Sequence, residues 1–285
     1  MASSPTVARW ELALRLRERR RELGIDVKTI TDQLEFSRNY WSAVENDRTM
    51  LSEDKLKSLV TVLQFDRGEV GELLDLREAA KERGWWDVAT LDETMRRLYG
   101  LEYGARRIRT YENLLITGLL QTEEYARALI STSPLVSPVE VDLRVELRMR
   151  RQDRLIRTGP LALTAVMSEG ALLQQVGGGA GVLQRQLQHL LWLSERSPDH
   201  IELRVMPFAA TPGGLAGSST VYFFDFDSSH LSTVAWQESV NPIGIIEDPT
   251  ILRYLSLSYD QALEASLSRD ESLELIRQCA KELRP

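Results

Sequence analysis

A single cysteine, Cys279, is the whole thiol complement of this 285-residue chain. An intrachain disulfide and a cysteine-rich zinc site are therefore excluded. Histidine is also scarce. His189, His200 and His230 are the only three, and none has a second histidine or a cysteine at metal-ligand spacing, so neither a metal nor a cofactor is expected. No apolar run approaches the ~20 residues that cross a bilayer. Arginines interrupt the N-terminal stretch MASSPTVARWELALRLRERR, which argues against a secretory signal. These absences together point to a cytoplasmic protein that does not contact a membrane. Positive charge is in short supply as well. The net charge is −7, and residues 1–80 carry 13 Lys/Arg against 15 Asp/Glu. Arg15, Arg17, Arg19, Arg20 and Arg21 form a dense local cluster that reads as a small basic face on an acidic protein.

What is present is enough apolar residue for a sizeable core and enough length for two domains. The first domain is expected over residues 1–83 as an all-α bundle of five helices. Ala8 to Glu22 reads as the first helix, with Gly24 as its stop. Asp26 caps a second over Val27–Leu34, Ser37 caps a third over Arg38–Asn46, and Ser52 opens a fourth. A fifth runs from Asp66 to Arg83. Gly84-Trp85-Trp86-Asp87 is expected to mark the boundary, with the paired tryptophans packed at a seam or presenting a partner or ligand surface.

Residues 84–285 mix helix and strand signals and are expected to form an α+β domain with a small, mainly antiparallel sheet. Ser137-Pro138-Val139-Glu140 is a capping box with proline at the first helical position, and the helix after it carries Arg144, Arg148, Arg150, Arg151, Arg154 and Arg157. Leu161–Met167 and Ile201–Met206 read as strands, and Val221–Phe226 and Leu231–Trp236 as two more joined by a hairpin. Leu183, Leu187, Leu190 and Leu191 stripe one helix. Asp248-Pro249 and Ser268-Arg269-Asp270-Glu271 open two others.

The segment GIDVKTITDQLEFSRNYWSAVEND, residues 24–47, reads as two short helices around a tight turn. With the arginine-rich helix before it and the helix after it, residues 12–63 resemble the Cro/lambda-repressor type of helix-turn-helix, the XRE family. The resemblance implies a DNA-binding transcriptional regulator in which the start of the second motif helix contacts base edges. By position the DNA-binding residues would be Ser37, Arg38, Asn39, Ser42, Ala43, Asn46 and Arg48. Arg38 and Asn39 would be the main readers, since Arg matches guanine O6/N7 and Asn matches adenine N6/N7. Ala43 could touch only a thymine methyl, and Asn46 and Arg48 match phosphate contacts. Arg20 and Glu45 match the family's structural ion pair. The chain departs from the pattern at Val27, Thr31 and Asp47. Asp47 stands in place of a glycine, so it must either take an unusual backbone conformation or shift the turn.

The remainder has its own resemblance. Leu119-Leu120-Gln121-Thr122-Glu123-Glu124-Tyr125-Ala126-Arg127, then Arg148-x-x-Arg151-Gln152, Gln186-Leu187-x-x-Leu190, Val205-x-Pro207-Phe208 and Glu238 are similar to a C-terminal domain of uncharacterised function in actinobacterial regulators. Such regulators imply a homodimer on double-stranded DNA and a small companion protein. The alternative is an antitoxin-like interaction module with little DNA binding of its own. Trp85, Trp86, Arg148 and Arg151 are the candidate partner or ligand surface. An enzyme is not expected. Val176-Gly177-Gly178-Gly179-Ala180-Gly181 lacks the Lys-Ser/Thr of a phosphate loop, Pro212 to Ser219 reads as a mobile loop, and no nucleophile has a paired base.

Overall fold

Helix caps set the register of the first unit. The computed structural model describes residues 4–134, 136–156, 161–211, 213–215, 220–238 and 244–283. Helix α1, Pro5–Glu22, starts three residues earlier than its apolar pattern indicates, because Ser4 caps it and Pro5 supplies a preset first turn. It ends at Gly24, whose φ of 63° releases the chain into the turn before α2, Val27–Leu34. Helices α3 (Arg38–Glu45) and α4 (Glu53–Val62) are capped by Ser37 and Ser52. Helix α5, Arg67–Lys81, opens with a reciprocal Asp66–Glu69 capping box. Leu12, Leu16, Ile30, Trp41, Val44, Leu56, Leu59 and Leu73 from these five helices, with Phe36 from the turn between α2 and α3, close over one core.

A sixth helix, α6, Glu93–Gly104, belongs to the same unit. It packs on α1 through glycine: a Cβ on Gly100 would collide with the Thr6 side chain, and the Ser4 hydroxyl donates to the Gly100 carbonyl at 2.6 Å. Trp86 is 1% exposed, its indole N–H reaches Thr6 Oγ1 at 3.2 Å, and its ring lies on Tyr103. The first unit therefore runs to Gly104 and also takes in Ser228–Leu231, where the Ser228 hydroxyl meets Glu11 at 2.7 Å. The division falls after residue 104 rather than after residue 83. The tryptophan pair, read from sequence as the border, lies on the near side of it, with Trp86 buried and Trp85 half-buried.

The second unit is built on one six-stranded sheet in the order β3-β2-β1-β4-β5-β6. Strand β1 is Arg107–Glu112. Helices α7 (Glu123–Ser131), α8 (Val141–Arg151) and α9 (Asp153–Ile156) lead to β2, Ala162–Ser168. Helices α10 (Glu169–Leu173) and α11 (Gly179–Arg196) lead to β3, Ile201–Met206. Strands β4 (Val221–Asp225), β5 (Val234–Gln237) and β6 (Gly244–Ile246) follow, and α12 (Pro249–Ala265) and α13 (Arg269–Glu282) close the chain. The pairs β1–β2 and β2–β3 are parallel, while β1–β4, β4–β5 and β5–β6 are antiparallel. The sheet is thus mixed: three of its five pairings are antiparallel, which meets the sequence expectation in part, and two are parallel because two helical crossovers return the chain in the same direction.

One face carries Tyr111, Val166, Val221, Phe223 and Ala235 against Leu255, Tyr259 and Ala262 of α12. The central strand β1 escapes a sequence reading because it reads RIRTYE. Its charges are accommodated inside: the Arg109 guanidinium lies over the Phe223 and Tyr259 rings, and Glu112 is 2% exposed. The Gly177–Gly181 run leads from α10 into the first turn of α11, which begins at Gly179. Arg157, Pro212 and Ala216–Ser219 lie outside the described residues.

Candidate nucleic-acid interface

Helix α3 is two-sided. Trp41 is 1% and Val44 3% exposed, locked into the core, while Ser37, Arg38, Asn39, Ser42, Asn46 and Arg48 are exposed and Ala43 is half-buried. Tyr40 N–H donates to the Ser37 hydroxyl at 3.1 Å, so Ser37 caps the helix and its side chain is occupied. The amide of Asn46 folds back on the helix, donating to the Ser42 carbonyl at 2.7 Å. Arg38, Asn39 and Arg48 have no hydrogen-bond or ion-pair partner among the described residues, which leaves their donors to solvent. Beside the start of the helix, the Lys55 ammonium lies 4.4 Å from the Tyr40 ring and 5.2 Å from that of Phe36, a position the sequence did not flag.

Ion pairs fix how this helix is held. Arg20 Nε donates to Glu45 at 2.7 Å, with both side chains largely buried, and Arg20 Nη1 reaches the Ile25 carbonyl at 2.9 Å. One guanidinium thereby joins α1, the α1–α2 turn and α3. Arg17 donates to the Glu45 carbonyl at 3.3 Å. Asp47 adopts the left-handed conformation at φ 58°, which resolves the choice its substitution for glycine leaves open. Its carboxylate is 6% exposed and accepts from Arg9 Nε at 2.7 Å. A strain of about 1 kcal/mol for a non-glycine residue there is offset by that pair.

The arginine cluster of α1 is not the basic face its sequence indicates. Arg15 pairs with Glu72 at 2.9 Å, Arg19 donates to the carbonyls of Leu63 and Gln64, and Arg17 and Arg20 serve Glu45. A guanidinium's fork of donors suits it to tying off exposed helix-end carbonyls, and Arg17 and Arg19 are used in that way, while Arg15 and Arg20 pair with carboxylates.

In the second unit, residues far apart in sequence gather around Gly118–Thr122. Gln121 Nε2 donates to the Ile116 carbonyl at 2.6 Å and its Oε1 accepts from Arg148 at 2.8 Å. Gln152 donates to the carbonyls of Gly118 and Gln121, and Gln186 both accepts from Thr122 N–H at 2.6 Å and donates to the Leu120 carbonyl at 2.7 Å. Arg151 is 5% exposed, and a Cβ on Gly118 would stand 3.0 Å from its Nη1. Arg151 and Trp86 are accordingly interior groups, while Arg148 and Trp85 are half-buried. Beside this cluster, Thr220 Oγ1 donates to Glu112 at 2.7 Å and the hydroxyls of Thr117 and Tyr222 lie 3.3 Å apart. Burial pushes the Glu112 carboxyl up to about 8, the Thr220 hydrogen bond opposes this, the Glu238 charge adds to it, and the Tyr222 and Thr117 hydroxyls oppose it. Glu112 and Thr220 carry no motif signal in the sequence; only the sheet brings them to the cluster.

Two family models match the chain. Residues 11–73 match a helix-turn-helix domain, a type that binds DNA. Residues 95–278 match a domain of unknown function, DUF5753. No curated protein and no solved structure matches the chain. No helix among the described residues is long and apolar enough to cross a membrane.

Proposed function

We propose that this chain, which belongs to the family defined by the domain of unknown function DUF5753, is a sequence-specific transcriptional regulator that reads DNA with α3. The carrying observation is the outer face of that helix. Arg38 and Asn39 sit at its N-terminal end, exposed and without partners among the described residues, on a helix anchored behind by Trp41, Val44 and the Arg20–Glu45 pair. In this reading Arg38 takes a guanine edge and Asn39 an adenine edge, while Arg48 meets phosphate. Asn46 has first to release its bond to Ser42. A homodimer places two such helices on half-sites about 34 Å apart. The second unit sets the activity through a small companion protein or a ligand, and the molecule works in the cytoplasm. It is assigned no catalytic activity, since the sequence offers no nucleophile with a paired base.

The test is selection of bound DNA from a genomic library, followed by gel shifts on the selected site. Arg38→Ala is expected to weaken specific binding by about 1–3 kcal/mol and to relax one base position. Arg48→Ala is expected to weaken all sequences alike and to lower the salt slope by about one. Unchanged affinity in Arg38→Ala would sink the readout assignment.

A second reading, an antitoxin-like module that binds a small companion protein, is favoured by one observation. Residues 1–80 carry more acidic than basic residues, and most α1 arginines are committed internally. A stable heterocomplex in pull-down, together with no DNA binding at low salt, would select it.

A further inference from the structure

A cleft of about 800 Å³ opens where strands β1, β2 and β3 begin, and every residue that lines it belongs to the second unit. Its volume is that of a small-molecule site. Strand register builds its floor. Arg109 pairs with Thr164, and Thr164 pairs with Glu202. A cation, a hydroxyl and a carboxylate therefore stand in one row across three strands. Two positions back along β1, and so on the same face, Arg107 pairs with Ala162. Ala162 offers only a methyl group there, which keeps that part of the floor low. Tyr259, Asp260 and Leu263 line the cleft from α12.

The end at β1 has donors to spare. The Arg109 guanidinium is held 4.8 Å from the Phe223 ring and 5.6 Å from that of Tyr259. Its side chain is 21% exposed, and its Nε is buried without a partner among the described residues. Asp225 stands 3.6 Å from Nη2, too far for a hydrogen bond, and that same carboxylate oxygen accepts from Thr233 at 2.6 Å. A largely buried guanidinium with five donors and no hydrogen bond among the described residues calls for a reason. Arg107 is exposed and has no partner among the described residues, which puts a second cation at this end. A guanidinium fixed over aromatic rings presents its N–H edge to a carboxylate in the fork geometry that pair favours.

The end at β3 is acidic. Glu202 is 42% exposed, and its contact with Arg204 at 3.2 Å uses Oε1, which leaves Oε2 to the cleft. Asp199 lies beside it in the exposed turn before β3. Arg269 and His200 line the same side, but Arg269 is engaged by the Ser194 carbonyl and hydroxyl at 3.3 and 3.4 Å.

We propose that this cleft binds a short peptide with both termini free, its carboxylate on Arg109 and Arg107 and its ammonium on Glu202. A simple anion would meet the arginines but lie against Glu202, Asp225 and Asp260. A simple cation would meet the carboxylates but lie against the arginines. A zwitterion satisfies both ends. Register also sets its length. Arg109 and Glu202 are two strand spacings apart, and Arg109 leans over Phe223 of the next strand, so their charges are separated by about 10–14 Å. A contact of about 3 Å at each end leaves about 4–8 Å, the span of a dipeptide at about 3.5 Å per residue. The rest of the cleft accommodates its side chains.

That such a ligand controls the DNA-binding unit rests on the control function proposed above. Binding is measured without DNA, so the two readings fail separately. The experiment is isothermal titration calorimetry of the full chain with diglycine, with N-acetyldiglycine, which lacks the ammonium, and with diglycinamide, which lacks the carboxylate. Diglycine is expected to bind, and each blocked form to bind at least about tenfold more weakly. Glu202→Gln is expected to weaken diglycine about tenfold and to leave N-acetyldiglycine unchanged, since that probe has no charge for Glu202 to meet. Arg107→Ala is expected to weaken diglycine several-fold and to leave diglycinamide unchanged. No binding of diglycine, equal binding of either blocked form, or native affinity for diglycine in Glu202→Gln would overturn the site. If a variant does not fold, the ranking of the three probes on the native chain decides.

Discussion

The two units use polar side chains in opposite ways. In the first, the residues aligned with DNA contact are spread on an exposed helix face, and Arg38, Asn39 and Arg48 have no partner among the described residues. In the second, Glu112, Thr117, Gln121, Arg151 and Gln186 are buried, and Gln121, Gln152 and Gln186 all bond to the backbone of one short segment, Gln121 also accepting from Arg148. A surface set leaves its donors free for a charged partner at little cost to the fold. A buried set contributes to the fold itself, since an unmet buried polar group is costly. Substitutions should therefore separate binding from stability in the first unit and mix them in the second.

The largest expected effect lies in the buried set. Glu112 holds its proton to about pH 8 when folded and releases it near 4.3 when unfolded. Its contribution to stability is therefore full below the unfolded value and is lost as pH rises toward 8, a decline of several kcal/mol through that window. Urea unfolding across this range, native chain against Glu112→Gln, should show the decline in the first and a flatter curve in the second. A native curve no steeper than that of the variant would remove the contrast between the units.

Next comes the anchoring pair of the first unit. Arg20→Ala leaves Glu45 largely buried without its charge partner and should cost about 2–3 kcal/mol. Arg38→Ala, on the exposed face of α3, should stay within about 0.5 kcal/mol of native stability. Denaturant midpoints of the two variants test this. Equal losses would mean that Arg38 is structural. Gly100→Ala should cost about 1–3 kcal/mol, because α6 can no longer sit against Thr6. A neutral result would show that Thr6 yields.

The smallest effect is the most specific. Asp47→Ala removes the Arg9 pair and keeps the left-handed backbone, for a loss of about 1 kcal/mol. Asp47→Gly loses the pair but relieves the backbone, and the two should nearly cancel, leaving less than about 0.5 kcal/mol. Equal losses in the two variants would show that the backbone strain is not what the Arg9 pair offsets.

The parts legible in the sequence are those whose signals are local. Ser37, Ser52, Asp66 and Ser268 announce their helices by capping chemistry, and the helices begin where those caps place them. Ile201–Met206 alternates, and it forms β3 over those residues. Strand β1 carries no such signal, since its charged residues are stabilised by contacts from β4, α12 and Thr220 that come from more than a hundred residues away. The Trp85-Trp86 pair shows the same limit. Composition marks it as something that must be covered, but only the docking of α6 on α1 shows what covers it.

The sequence by itself determined the helix-turn-helix, the polar face of α3 and the mixed α and β character of the remainder, each from spacing along one element or from a short motif, while the Arg20–Glu45 match came from the resemblance to the XRE family. The tertiary structure alone decided that the α1 arginines are spent on carboxylates and backbone carbonyls of the first unit, that the sheet is mixed, that the first unit extends to Gly104, and that Glu112 is buried among hydroxyls at the end of β1. Those outcomes depend on which distant segments meet, and burial and the pairing of charge are properties of that meeting rather than of any one segment.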